Sequence, residues 1–231
     1  RHPARRWIDR HSFSTAPDST SSTRTDRIME VLAAGADAPA RLVVFFHGLC
    51  GTGAHSQKDL APVVATHPNV RFLFPTAPKR APVSAWNKDG RGGDWFLLEG
   101  RDNLEVIEEC VQELDRWLDE QLALLGLDDS ALLLGGFSQG AGLASYIGLS
   151  RGVAGVICLG GIVNPRDQLL PGSTSAKLLC VNGDADSFVD LEQLKAAVDK
   201  YVPEWHVLEG VGHTVTDAHR DLVSAFIASF D

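Results

Sequence analysis

A chain of 231 residues, 44% of them apolar, holds enough material for one large domain or two small ones. A net charge of -9 argues against nucleic acid or an anionic membrane surface as the main partner, and no apolar run approaches the roughly 18 residues of a membrane-spanning helix. The four cysteines, Cys50, Cys110, Cys158 and Cys180, fall in no metal-binding spacing; with no N-x-S/T sequon present, they fit a reduced, cytoplasmic setting.

Residues 1–26 are rich in Arg, Ser and Thr, too polar to bury much, and read as a flexible leader. Through Arg27 this end carries a net +3, so the remainder carries -12. Its Arg- and Ser-rich composition also resembles an organelle transit segment, which makes an organelle the alternative address. Residues 27–231 read as one domain. A first strand is expected over 27–34. Residues 41–46 form a near-continuous apolar run, as a strand buried on both faces does, and end in the Gly-rich loop 47–53. A helix over 54–66 and a strand over 70–75 follow. Residues 76–100 carry no period but hold Trp86, Trp95 and Phe96, and so long a loop in a compact domain is usually functional. Apolar residues three or four apart predict a helix over 102–125, with Gly126 as its cap. Strands are expected over 130–134, 153–159, 177–181 and 205–208. Helices are expected after Ser138 and over 191–201 and 214–230. Strands alternating with helices at this spacing predict an α/β fold with a mostly parallel central sheet covered on both faces.

Four loops that follow strands hold unusual residues: 47–53, 136–140, 182–186 and 210–213. Gly136, Ser138 and Gly140 fit G-x-S-x-G between a buried strand and a helix. That pattern sets a nucleophile on a strained turn, where the flanking positions have no room for bulk. A serine hydroxyl needs a base within hydrogen-bond reach, and the base needs an orienting acid. Ser138, Asp186 and His213 follow the order nucleophile, acid, base, each after a strand, though position alone does not separate Asp184 from Asp186. His47 reads as structural, bonding the backbone. Cys50 reads as a small neutral spacer or as a reactive thiol near the centre. Trp86, Trp95 and Phe96 either line a channel for an apolar acyl tail or plug their loop onto the core. No metal cluster, phosphate loop or dinucleotide fingerprint is present, so no cofactor is expected.

Several stretches together resemble the carboxylesterase and acyl-protein thioesterase family of α/β-hydrolases. They are Phe45-Phe46-His47-Gly48-Leu49, Phe74-Pro75-Thr76-Ala77-Pro78, Trp95-Phe96, Gly135-Gly136-Phe137-Ser138-Gln139-Gly140, Gly183-Asp184-Ala185-Asp186 with Val189, and Gly212-His213. They run in family order from about residue 27 to the end. The resemblance implies a nearly cap-less fold with Ser138 as nucleophile, His213 as base and Asp186, the second Asp of G-D-x-D, as its acid. It further implies an oxyanion hole formed by the N–H groups of Leu49 and Gln139. The implied substrate is a carboxylic ester or thioester, with lipidated proteins among the candidates. Lysophospholipase-type or small-ester cleavage is the alternative within the class, and a non-catalytic ligand-binding protein the alternative outside it. The chain departs from the family at Cys50-Gly51, at Ala141-Gly142 and at Gly160-Gly161-Ile162-Val163-Asn164-Pro165, positions that bear on substrate preference.

Overall fold

The computed structural model describes residues 29–80, 92–96, 104–161 and 170–231. The 1–26 leader and Trp86 lie outside the described residues. Seven strands form one sheet: β1 (Val31–Gly35), β2 (Arg41–Phe46), β3 (Val70–Pro75), β6 (Leu132–Phe137), β7 (Gly155–Leu159), β8 (Lys177–Gly183) and β9 (Glu204–Leu208). Their order is β1-β3-β2-β6-β7-β8-β9. All neighbouring pairs are parallel except β1 with β3, where Val31 faces Pro75 and Gly35 faces Arg71. The two short strands β4 (Lys79–Arg80) and β5 (Gly93–Asp94) pair with each other inside the stretch that shows no period.

Side-chain alternation along the strands builds two layers. Leu42, Val44 and Phe46 of β2, with Leu132 and Leu134 of β6, face the helices α2 (Leu104–Leu125), α3 (Gln139–Arg151) and α4 (Leu191–Val198). Val43, Phe45, Leu133, Ile157 and Leu179 face α1 (Gly53–Thr66) and α5 (Asp217–Ala228). Each fully buried Leu or Phe in this sandwich contributes about 1.5–3 kcal/mol relative to exposure. Sheet and helices therefore specify each other, and the carboxyl ends of β2, β6 and β8 come to one rim.

Local chemistry sets the element ends. Asp128 accepts from the Ser130 N–H, which makes a short turn over Asp129–Ala131 and delays the elbow strand to Leu132. The last helix begins at Asp217 rather than 214, because Thr216 and His219 cap it reciprocally: the Thr216 side chain accepts from the His219 N–H, and His219 Nδ1 accepts from the Thr216 N–H at 3.2 Å. Burial holds the His219 pKa down to about 4. Helix α3 is buried on every side along its first eleven residues, and its small residues Gly140, Ala141, Gly142 and Ala144 let it lie close on the sheet. Its far end is anchored by Arg151, whose side chain is 3% exposed and pairs with Asp115, Asp119 and Asp129 at 2.6–2.7 Å. Those hydrogen bonds outweigh burial and push the guanidinium pKa further up. The helix that begins at Ser138 is thus fixed at both ends.

Candidate active site

The turn between β6 and α3 places Ser138 at φ 56° and ψ -118°, a strained backbone for a residue with a Cβ. Such a conformation costs on the order of 1–3 kcal/mol and persists only where its surroundings enforce it. Here the Ser138 N–H donates to Leu159 O at 2.9 Å, which fixes the turn to the end of β7. The flanking glycines are required by contact. A Cβ on Gly136 would lie 2.2 Å from the Gly140 carbonyl, and one on Gly140 would lie 2.3 Å from Phe46 O. The elbow is therefore clamped against the end of β2.

The three sequence candidates for nucleophile, base and acid meet. His213 Nε2 lies 2.9 Å from Ser138 Oγ, and His213 Nδ1 lies 2.7 Å from Asp186 Oδ2. An ionised carboxylate only accepts, so Nδ1 carries the proton and Nε2 accepts from the serine hydroxyl. The imidazole packs between Phe137 and Phe188, with ring centroids at 4.7 and 4.9 Å. The Asp186 side chain is 1% exposed, and its Oδ1 accepts from the Phe188 N–H at 2.9 Å. Asp184 is exposed and turned elsewhere, accepting from the Gly210 N–H at 2.6 Å. The ambiguity left open by position resolves geometrically: Asp186 is the carboxylate against His213, and Asp184 ties its own loop to the loop after β9.

The loop after β2 supplies the facing wall. Gly51 N–H donates to Gly48 O at 3.0 Å, closing a tight turn in which Cys50 has φ 59°. His47 is 2% exposed. Its Nε2 accepts from the Ala77 N–H at 3.0 Å, so Nδ1 carries the hydrogen and donates to Gly48 O at 2.7 Å. Burial lowers its pKa to about 4 and keeps it neutral in this one tautomer. With Gly48 O held by two donors, the trans peptide turns the Leu49 N–H to the opposite side. Among the described residues neither the Leu49 nor the Gln139 N–H has a hydrogen-bond partner. The Gln139 N–H opens α3, where the positive end of the helix dipole faces the Ser138 hydroxyl.

Trp95 and Phe96 are buried at 1% and 5% exposure. The Trp95 indole N–H donates to His47 O at 2.9 Å, and its ring meets Phe46 edge-on at 5.2 Å. In this structure these two residues touch the elbow and the loop after β2. Two features were missed in the sequence. Asp94, beside the two aromatics, accepts from the Cys50 N–H at 3.0 Å. Burial pushes its carboxyl pKa up while that bond pulls it down. Phe188, 53% exposed, lies with its ring tilted against His213, a contact that nothing in the Asp186 loop sequence signals.

The phospholipase/carboxylesterase family model matches residues 28–229. Acyl-protein thioesterase 1 of Eremothecium gossypii is 28% identical over 222 residues, covering 85% of this chain and 90% of that protein. Mouse lysophospholipase-like protein 1 is 28% identical over 162 residues, covering 64% of this chain and 66% of that protein. Among solved structures, esterase PE8 superposes with a TM-score of 0.74 at 26% identity, over 88% of this chain and 98% of that one. Arabidopsis thaliana SOBER1 shares the fold with a TM-score of 0.67 at 19% identity, over 82% of this chain and 98% of its own. The mostly parallel sheet, the elbow and the match along nearly the whole chain agree, and the chain belongs to the phospholipase/carboxylesterase family.

Proposed function

We propose that this ester hydrolase cleaves carboxylic esters or thioesters through an acyl-serine intermediate, with Ser138 as nucleophile, His213 as base and Asp186 as orienting acid. The observation that carries the reading is the unbroken hydrogen-bonded run from Asp186 through His213 to Ser138 Oγ, at 2.7 and 2.9 Å. His213 takes the hydroxyl proton as Oγ attacks the carbonyl carbon, and Asp186 stabilises the resulting imidazolium. The oxyanion is received by the Leu49 and Gln139 N–H groups, each such donor being worth about 3 kcal/mol in the transition state. His213 then protonates the leaving alcohol or thiol, and next activates the water that releases the acid.

Within this class we favour an acyl-protein thioesterase-like activity on an acyl chain, with a lipidated protein as the candidate substrate. The support is the length of the match to the Eremothecium thioesterase and the exposed Phe188 ring beside His213. Lysophospholipase-type or small-ester cleavage is the alternative, in line with the mouse relative. Among the described residues no helix is long and apolar enough to cross a membrane. All four cysteines are free thiols, which supports a reducing, cytoplasmic setting. The test is a chain-length series of paired thioesters and oxyesters, read as kcat/KM. A rise with acyl length, steeper for the thioesters, is expected; a flat response would contradict the acyl-chain reading. A non-catalytic binding protein would show no turnover at all.

A further inference from the structure

The side chain of Gln139 does something its backbone cannot. Its Oε1 accepts from the Trp95 N–H at 3.0 Å, and its Nε2 donates to Phe96 O at 2.9 Å. Both ends of a buried amide are thus spent on one short stretch of distant chain. The same stretch grips the loop after β2 at three further points. Gly93 N–H donates to Gly51 O at 2.8 Å, Asp94 Oδ1 accepts from the Cys50 N–H at 3.0 Å, and the Trp95 indole donates to His47 O at 2.9 Å. Residues 93–96 therefore form a strap. One side is bonded to the residue after the nucleophile, and the other to the residues on both sides of Leu49.

We propose that this strap sets the separation of the two oxyanion-hole donors, with the Gln139 side chain and Asp94 as positioning residues. The proposal rests on the reading of the Leu49 and Gln139 N–H groups given above and deepens it. Neither donor belongs to the strap, and they sit on different elements, one on a turn and one at a helix start. An oxyanion site needs both within about 2.7–3.1 Å of one point, and a displacement of about 1 Å at a reacting centre can cost about 100-fold in rate. The Gly140 contact with β2 holds the helix start, and the Gly51–Gly48 hydrogen bond closes the turn on itself. The strap is bonded to both, and so ties the turn that carries Leu49 to the start of the helix that carries Gln139. Three of its five bonds, those of the Trp95 N–H, the Trp95 indole and the Gln139 amide, are buried, where a lost partner is not replaced by water.

Substitution separates this role from a merely structural one, because the Gln139 N–H survives any change of its side chain. Gln139→Met keeps length and loses both bonds, Asp94→Ala loses the Cys50 contact, and Asp94→Asn retains an acceptor at Oδ1. Each variant is measured on p-nitrophenyl acetate, with active sites counted by fluorophosphonate titration. Inhibition by an aryl trifluoromethyl ketone, whose serine adduct places its oxyanion in the hole, is measured in parallel. Gln139→Met and Asp94→Ala are expected to lower kcat per titrated site by about 10–100-fold, and to weaken the ketone by the same factor. KM should stay within about twofold, and Asp94→Asn should restore most of the rate. Unchanged kcat per titrated site and unchanged ketone affinity, with only thermal stability or the titratable fraction reduced, would overturn the proposal. If Gln139→Met does not fold, the Asp94→Ala and Asp94→Asn pair separates the two roles by the same readouts. A wild-type protein inert to both label and ester would overturn the hydrolase reading itself, and the proposal with it.

Discussion

The buried, neutral His47 makes a prediction about acid sensitivity that is separate from the reaction. Its folded pKa is lowered from 6.5 to about 4 by burial. Its Nε2 faces the Ala77 N–H, so protonation would set one donor against another. The unfolded chain binds this proton at about pH 6.5 and the folded chain only near 4. The stability is therefore fully present above about pH 6.5 and is lost as pH falls toward 4. Between pH 7.5 and 4.5 the loss comes to about 2.5 kcal/mol, with a slope of up to about 1.4 kcal/mol per pH unit. His47→Gln retains an acceptor for Ala77 and cannot titrate. Urea unfolding of both proteins across this range tests the point. The variant begins less stable at pH 7.5, because it lacks the Nδ1 donor to Gly48 O, and the gap should close by about 2.5 kcal/mol at pH 4.5. Parallel pH profiles for the two proteins would refute the reasoning.

Other consequences follow from single contacts. Arg151→Met should destabilise the fold by about 3 kcal/mol in urea unfolding, since Asp115, Asp119 and Asp129 then face one another without their cation. Added salt should recover part of that loss. Asp186→Asn should leave stability nearly intact and lower kcat by about 10⁴-fold, because the amide can donate to His213 Nδ1 and favours the wrong tautomer. Phe188→Ala should change stability by less than about 0.5 kcal/mol, since the ring is 53% exposed. It should raise KM for a long-chain ester about fivefold, with little change for acetate, if the ring contacts the acyl chain.

The parts of this fold legible in the sequence are those governed by short-range pattern. The apolar run 41–46 stands where its pattern places it, and the strand–turn–helix order around Ser138 holds although the strand begins at Leu132 rather than 130, because burial on both faces leaves few other arrangements. The order Ser138, Asp186, His213 is legible for the same reason, as each lies on a loop that follows a strand. Position alone left Asp184 and Asp186 open and the resemblance favoured Asp186; the two differ in where the backbone turns, which sets Asp186 against His213 and Asp184 against the Gly210 N–H. The antiparallel direction of β1 was likewise hidden, since a strand carries no sign of its polarity. The strap was the least visible feature. Gly93–Asp94 is too short to show a period, and the residues that the strap grips, on the loop after β2 and at the elbow, lie more than forty residues away in either direction. The resemblance to known enzymes drew attention to Trp95 and Phe96 but not to what holds them.

The central claim is that Ser138 attacks a carbonyl with His213 as its base. The most direct measurement is intact-protein mass spectrometry after treatment with a fluorophosphonate, on wild type and on Ser138→Ala. The wild type is predicted to gain one adduct, mapping by peptide analysis to Ser138, and to lose esterase activity in step with labelling. Ser138→Ala should gain none and show no turnover above background. Labelling at another serine, or esterase activity that survives in Ser138→Ala, would contradict the account.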